Sequence, residues 1–302
     1  MLRIHTDPSA DRHETPPGHP EQTARRAAVL KALDGLGEVR GAPVAADADL
    51  LRCHPQSHLD RLREAEPATG RTQMDADTWM TAGSFEAAAR AAGAACAAVD
   101  EVLDSPAHHF VVMRPPGHHA EAGTPMGFCL LGTVAIAARR ALEEHSLERV
   151  AVIDFDVHHG NGTQALLWDE ARVRLAGSHQ SPLWPGTGDA SECGAHGQIR
   201  NRPLPAGADG TLLRRAWGEE LLPWLAGARP ELVLVSAGFD AHRDDPLASL
   251  EWDEDDFRWL GTEIGTLARE HAGGRLVSVL EGGYDLHALG RAARAYAEGV
   301  GT

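Results

Sequence analysis

Four short apolar runs constrain this chain more than anything else in it: His109-Phe110-Val111-Val112-Met113, Val150-Ala151-Val152-Ile153-Asp154-Phe155, Leu232-Val233-Leu234-Val235-Ser236 and Leu276-Val277-Ser278-Val279-Leu280. Each is rich in β-branched residues and too short for a buried helix, so each reads as a strand covered on both faces. Helix-favouring stretches from Ser84 to Leu103, Thr133 to Glu144 and Leu212 to Leu225 separate them. That alternation is the rhythm of a parallel sheet with helices on its faces. Pro20 followed by Glu21 predicts a further helix running through Leu33. No repeat, low-complexity tract or linker divides the chain, so residues 1–302 are taken as one α/β domain.

Each run leads into a polar, glycine-rich segment: Arg114-Pro115-Pro116-Gly117-His118-His119, Asp156-Val157-His158-His159-Gly160-Asn161-Gly162, Ala237-Gly238-Phe239-Asp240 and Glu281-Gly282-Gly283-Tyr284-Asp285. In an open parallel sheet the carboxyl ends of the strands form the crevice where ligands sit, so these four loops are expected to converge.

Asp156 and His158 alternate with Phe155 and Val157. If the run stays extended, both project to one side. With Asp240 they make a two-carboxylate, one-imidazole set that leaves a position open for water, as a catalytic zinc site requires. The same donors accept Fe²⁺. An isolated Asp-x-His usually marks a capped loop, but the adjoining His159-Gly160-Asn161-Gly162 favours the ligand reading. Adjacent imidazoles at His118 and His119 can supply a general base and its acid partner, solvated surface being the alternative. Asp154 and Asn161 are acceptors able to fix their tautomers. Tyr284, after two glycines, can aim a phenol at a developing oxyanion, or simply pack in a turn.

Composition narrows the partners. The formal charge of −16, with no Lys/Arg stripe, argues against nucleic acid. It tolerates a cationic substrate, though an acidic, solubilising surface is the simpler account. No stretch of 18 apolar residues is present, and no apolar run succeeds the basic N-terminus, so neither a membrane partner nor a secretory signal is expected. The four cysteines contain no Cys-x-x-Cys and read as reduced thiols, with the cytoplasm as the expected compartment. A homo-oligomer stays open.

Taken together, Arg-Pro-Pro-Gly-His-His at 114 to 119, Gly-Phe-Cys at 127 to 129, Asp-Phe-Asp-Val-His-His-Gly-Asn-Gly-Thr at 154 to 163, Pro-Gly-Thr-Gly at 185 to 188, Ser-Ala-Gly-Phe-Asp-Ala-His-Arg-Asp-Asp-Pro at 236 to 246 and Leu-Glu-Gly-Gly-Tyr-Asp at 280 to 285 resemble the histone deacetylase family. The likeness runs from about His13 to Leu286, and it is greatest to the class II-like bacterial members, which include deacetylase-like amidohydrolases and acetylpolyamine amidohydrolases.

The resemblance implies an arginase/deacetylase fold with an eight-stranded parallel sheet and hydrolysis of an acetylated amine around one Zn²⁺. It implies Asp156, His158 and Asp240 as metal ligands, His118 and His119 as the catalytic histidines with His119 as the member moving the proton, and Tyr284 as the oxyanion donor. Asp154 and Asn161 become the partners of the histidines. Phe128 and Trp184 fall at the aromatic walls of an acyl-lysine tunnel, with Gly127 beside the first.

The family also carries a structural K⁺ whose serine ligand stands in a Ser-Leu-His. This chain has Gly177-Ser178-His179, so that side-chain donor is missing or shifted by one. Leu247 stands where polyamine-selective relatives have a glutamate, which favours an acyl-lysine peptide or small neutral amide over an acetylpolyamine. Asp77 is expected on the rim, binding substrate, or else capping a helix. Binuclear arginase-like hydrolases read Asp-x-His-x-Asp where Gly160 stands here, so a second metal lacks a ligand. A metal-bound, inactive acyl-amine binding module is the remaining rival.

Overall fold

The computed structural model describes residues 2–302. All four apolar runs form strands, and four more strands join them in one eight-stranded parallel sheet. In chain order the strands are β1 (Leu2–His5), β2 (Gly37–Arg40), β3 (His108–Val111), β4 (Val150–Asp154), β5 (Val173–Gln180), β6 (Ile199–Leu204), β7 (Leu232–Ala237) and β8 (Leu276–Leu280). Across the sheet they run β2-β1-β3-β8-β7-β4-β5-β6. The four predicted strands are therefore the central, mutually adjacent ones. Val111 pairs with Val279, Leu280 with Ala237, and Ser236 with Asp154. Their carboxyl ends consequently finish together at one edge of the sheet.

Strict alternation buries both faces. In β4, Ala151 and Ile153 enter one apolar layer with Phe110, Val235 and Leu280, whereas Val150 and Val152 enter the other with Val111, Leu234 and Val279. The helices include α1 (Ala24–Ala32), α2 (Ser84–Asp104), α3 (Thr133–Glu143), α4 (Asn161–Leu166), α5 (Glu254–His271) and α6 (Leu286–Val300), with further ones at Asp47–Leu50 and Gln56–Ala65. Helices α1, α5 and α6 cover the first face and α2 and α3 the second. Ala91, Ala94, Ala95 and Ala98 form the sheet-facing side of α2, and such small residues let a helix lie close. Each buried Val, Leu, Ile or Phe contributes about 1.5–3 kcal/mol relative to exposure.

Two helix predictions need correction. Helix α1 starts at Ala24, not Pro20, because Glu21 is drawn inward to Arg25 and Arg114 while residues 16–22 close successive turns. The stretch from Leu212 to Leu225 is helical in three pieces, Gly210–Arg214, a wider π-turn segment Arg215–Leu221, and Leu222–Ala226. Pro223, lacking an N–H, cannot make an α-helical bond there, and buried Trp217 sits in the widened turn.

Candidate active site

The four loops do converge, though not as simple strand extensions. β4 ends at Asp154, and residues 156–158 form a bend, so the two-residue period does not operate there. Asp156 and His158 meet because the bend turns the imidazole back: His158 Nδ1 lies 3.1 Å from Asp156 Oδ1 and 3.2 Å from Asp240 Oδ2. One donor atom from each of the three residues falls within 4.8 Å of the others.

The neighbouring backbone approaches closely. A Cβ on Gly238 would sit 2.1 Å from Asp156 Oδ2, and one on Gly282 would sit 2.1 Å from Asp240 Oδ2. Only glycine permits this, and it lets the Gly282 N–H donate to Asp156 Oδ2 at 2.8 Å. Val157 N–H donates to Asp240 Oδ1 at 2.9 Å.

Both carboxylates are buried, and their ionisations diverge. Burial, reinforced by Asp156, raises the Asp240 carboxyl. Burial would also raise Asp156, but His118 and His158 hold it well below the ordinary carboxylate range. Burial opposes a charge on His158, yet the two carboxylates lift it to about 10. The two carboxylates thus favour a proton shared with His158 Nδ1, and a divalent cation bound among the three groups would displace it. The donor set, two oxygens and one nitrogen, fits Zn²⁺ or Fe²⁺.

The His118 and His119 rings lie against each other, tilted by 41°, with centroids 3.9 Å apart. His118 Nδ1 meets Asp154 Oδ2 at 3.0 Å and His119 Nδ1 meets Asn161 Oδ1 at 2.8 Å, the partners expected. Their charges are driven apart. Burial works against protonation of His118, but Asp156 and Asp154 raise it well above the usual imidazole range. Burial, then the His118 and His158 charges, push His119 well below it.

A residue that reading the loops missed holds this pair in place. Glu281, fully buried, accepts from the N–H groups of Gly117 at 2.6 Å and His118 at 3.1 Å. Burial pushes its carboxyl up to about 7, against His118 and the Gly117 N–H. Only its place before Gly282-Gly283-Tyr284 could have drawn attention to it. A Cβ on Gly160 would strike Asp154 Oδ2 at 2.1 Å, so no carboxylate of the binuclear pattern fits there.

Above the cluster opens a cavity of about 310 Å³, and it brings the expected substrate contacts Gly127, Phe128, Trp184, Leu247 and Asp77 together with Tyr284. The Trp184 ring lies edge-on to His119 at 4.7 Å. A side chain on Gly127 would run into both rings, at 2.5 and 2.6 Å. Phe128 takes φ of 69°, a left-handed conformation costly for an aromatic residue, anchored by its N–H on Thr78 Oγ1 at 2.9 Å. Tyr284 comes after Gly283, at φ of 117°, and precedes Asp285, the cap of α6. Its N–H donates to Asp245 Oδ2 at 2.6 Å, and the Arg25 guanidinium lies 4.9 Å from its ring centroid.

His19, read only as a helix boundary, is a wall residue too, edge-on to Phe128 at 4.8 Å with Nε2 donating to the Asp77 carbonyl at 3.0 Å. Asp77 caps no helix; Asp75 closes its turn, and burial together with Asp75 raises the Asp77 carboxyl to about 6. A wider opening of about 630 Å³, lined in part by Asp11 and Glu14, adjoins the cavity through His19, Leu247 and Tyr284. The shifted serine, Ser178, accepts at its hydroxyl oxygen from Trp217 Nε1–H at 2.9 Å. Among the described residues no helix is long and apolar enough to cross a membrane.

Residues 19–300 match a family model described as the histone deacetylase domain. The chain is 40% identical over 277 residues to a histone deacetylase-like amidohydrolase of Pseudomonas aeruginosa, covering 88% of this chain and 73% of that protein. It is 39% identical to a probable deacetylase of Methanothermobacter thermautotrophicus, covering 99% and 90%. Among solved structures it superposes on an HDA15 HD domain with a TM-score of 0.92 at 28% identity, covering 99% of this chain and 88% of that one.

Proposed function

The chain belongs to the histone deacetylase family of deacetylases and amidohydrolases, and from that premise we propose that it is a zinc-dependent deacylase cleaving the amide of an acetylated amine. The observation that carries this reading is the Asp156–His158–Asp240 set, two buried carboxylates with no guanidinium or ammonium of their own, at the base of an aromatic-walled cavity.

When bound, the divalent ion supplies Lewis-acid polarisation of the carbonyl and a water of lowered pKa. The chain's own groups do the rest. His119, held neutral by burial and by the His118 charge beside it, accepts a proton as water attacks. The His118/His119 pair returns a proton to the leaving nitrogen, with His118 kept cationic beside Asp154 and Asp156. The Tyr284 hydroxyl donates to the oxyanion as it forms. Phe128 and Trp184 exclude water from the acyl arm, and the left-handed turn at Gly127-Phe128 sets the near wall.

We assign an acyl-lysine peptide or small acetylated amide as substrate, on the apolar Leu247 in the cavity wall. An acetylpolyamine is the second reading, favoured by Asp77 in the cavity and by Asp11 and Glu14 at its opening. Backbone carbonyls near Gly177 are the donors left for a structural K⁺. Four free cysteines suit a reducing compartment, and we assign the cytoplasm.

Metal content and hydrolysis of an acetyl-lysine amide test the core of this, succeeded by kcat/KM across acetyl-lysine peptides, acetylpolyamines and small acetylated amides. One ion per chain is expected, with Tyr284→Phe folded, metal-loaded and slower by about 10²- to 10³-fold. Two ions would indicate a binuclear hydrolase, and an ion without turnover a binding module.

A further inference from the structure

His118 and His119 are neighbours, but only His118 has a carboxylate against its Nδ1. His119 faces an amide. An amide can present either end to an imidazole, with opposite consequences. Oxygen inward makes Nδ1 the protonated nitrogen and leaves Nε2 a lone pair; nitrogen inward reverses the tautomer. Nothing in Asn161 itself selects between the two.

The far end of the amide decides. Asn161 Nδ2 lies 2.9 Å from Glu121 Oε1, and an ionised carboxylate only accepts. The other group at that end, Met126 Sδ at 3.5 Å, is also an acceptor. Both require an N–H, which leaves the amide oxygen for His119. Glu121 is itself pinned, its N–H donating to the Thr124 carbonyl at 3.0 Å. Buried His54 ties the same loop at both ends, accepting from Gly132 N–H at 2.9 Å and donating to the Ala122 carbonyl at 3.1 Å.

We propose that Glu121 is a positioning residue of the active site. It orients the Asn161 amide so that His119 carries its proton on Nδ1 and keeps Nε2 free to take one from the attacking water. Through that amide it gives His119 the acidic backing that His118 receives directly from Asp154. The proposal rests on the reading of His119 as the proton-transferring group.

Four variants test it: Glu121→Leu, Glu121→Gln, Asn161→Asp and the double variant Asn161→Asp/Glu121→Gln, each measured for kcat, KM, bound metal and unfolding temperature. Glu121→Leu is expected to lower kcat by about 10- to 100-fold, the usual range for a partner of a site residue, with KM and metal content held. Glu121→Gln keeps an oxygen able to accept from Asn161 and loses less than Glu121→Leu. Asn161→Asp sets two carboxylates against each other. There Glu121→Gln supplies an N–H to the new acid, so the change that harms the natural background raises kcat in this one.

Equal kcat in Glu121→Leu and the natural protein overturns the proposal, and so does an effect of Glu121→Gln with the same sign in both backgrounds. A natural protein with bound metal and no turnover overturns the functional reading instead, so the two failures are distinguishable.

Discussion

Two clusters of buried charge act on Tyr284, and they are built on opposite plans. In the first, Glu21 takes a bidentate grip from Arg114, with both contacts at 2.5 Å, and a third bond from Arg25 Nη1 at 3.1 Å. The spare guanidinium N–H groups end on the carbonyls of Ala10, His13, Glu21, Glu281 and Gly283. In the second, Asp156 and Asp240 have only imidazoles and backbone N–H groups for company. A cluster that carries its own cations is complete as folded. One that assembles acids around a gap is complete only with a cation from outside, and it would be a poor choice for stability alone.

The sharpest way to break this contrast is to neutralise an acid in each. Asp240→Asn keeps the shape and removes a ligand charge. Activity is expected to fall by at least about 10³-fold, since the ion is worth several kcal/mol to the reaction, while metal-free unfolding temperature holds or rises. A drop in metal-free stability would show that the acids are structural after all. Arg114→Met removes the bidentate partner of Glu21 and leaves it with Arg25 alone, and removing one partner of a buried pair costs about 3–5 kcal/mol. Denaturant unfolding should show that loss with or without metal.

pH separates the clusters with the smallest effects. Burial would raise the Glu21 carboxyl, but Arg114 and Arg25 pull it down to about 2. Its contribution is therefore fully present above its unfolded value of 4.5 and lost as pH falls towards 2. His158, lifted to about 10, contributes in the opposite sense. In chelated protein its stabilisation is complete below 6.5 and lost as pH rises through 10. Urea midpoints from pH 2 to 10, with chelator and with Zn²⁺, check both limbs. Saturating metal should abolish only the alkaline one, because the imidazole then holds a metal and not a proton.

Legibility tracked locality. The four central strands were readable because burial on both faces demands continuous apolar runs, and Asp156, His158, Asp240 and Tyr284 stood out because they end those runs among glycines. The two edge strands carry no such mark. β2 is Gly-Glu-Val-Arg with Val39 exposed, and β6 has Arg200, Asn201, Arg202 and Pro203 between Ile199 and Leu204. An edge strand has solvent beside it and needs little apolar surface, so only the family likeness supplied the full count of eight.

What the amino-acid order determined alone was which residue types stand at the ends of which strands, and hence a metal-and-imidazole chemistry, because hydrophobic period and glycine placement are local properties. The assignments that needed tertiary structure are those made by side chains arriving from far away. Glu281 reaches the backbone of Gly117 and His118 across 163 to 164 residues, His19 closes against Phe128, and Glu121 turns the Asn161 amide. A hydrogen bond depends on ångström-scale distance and direction, and the spacing of residues along a chain carries neither until the sheet has brought its strand ends together.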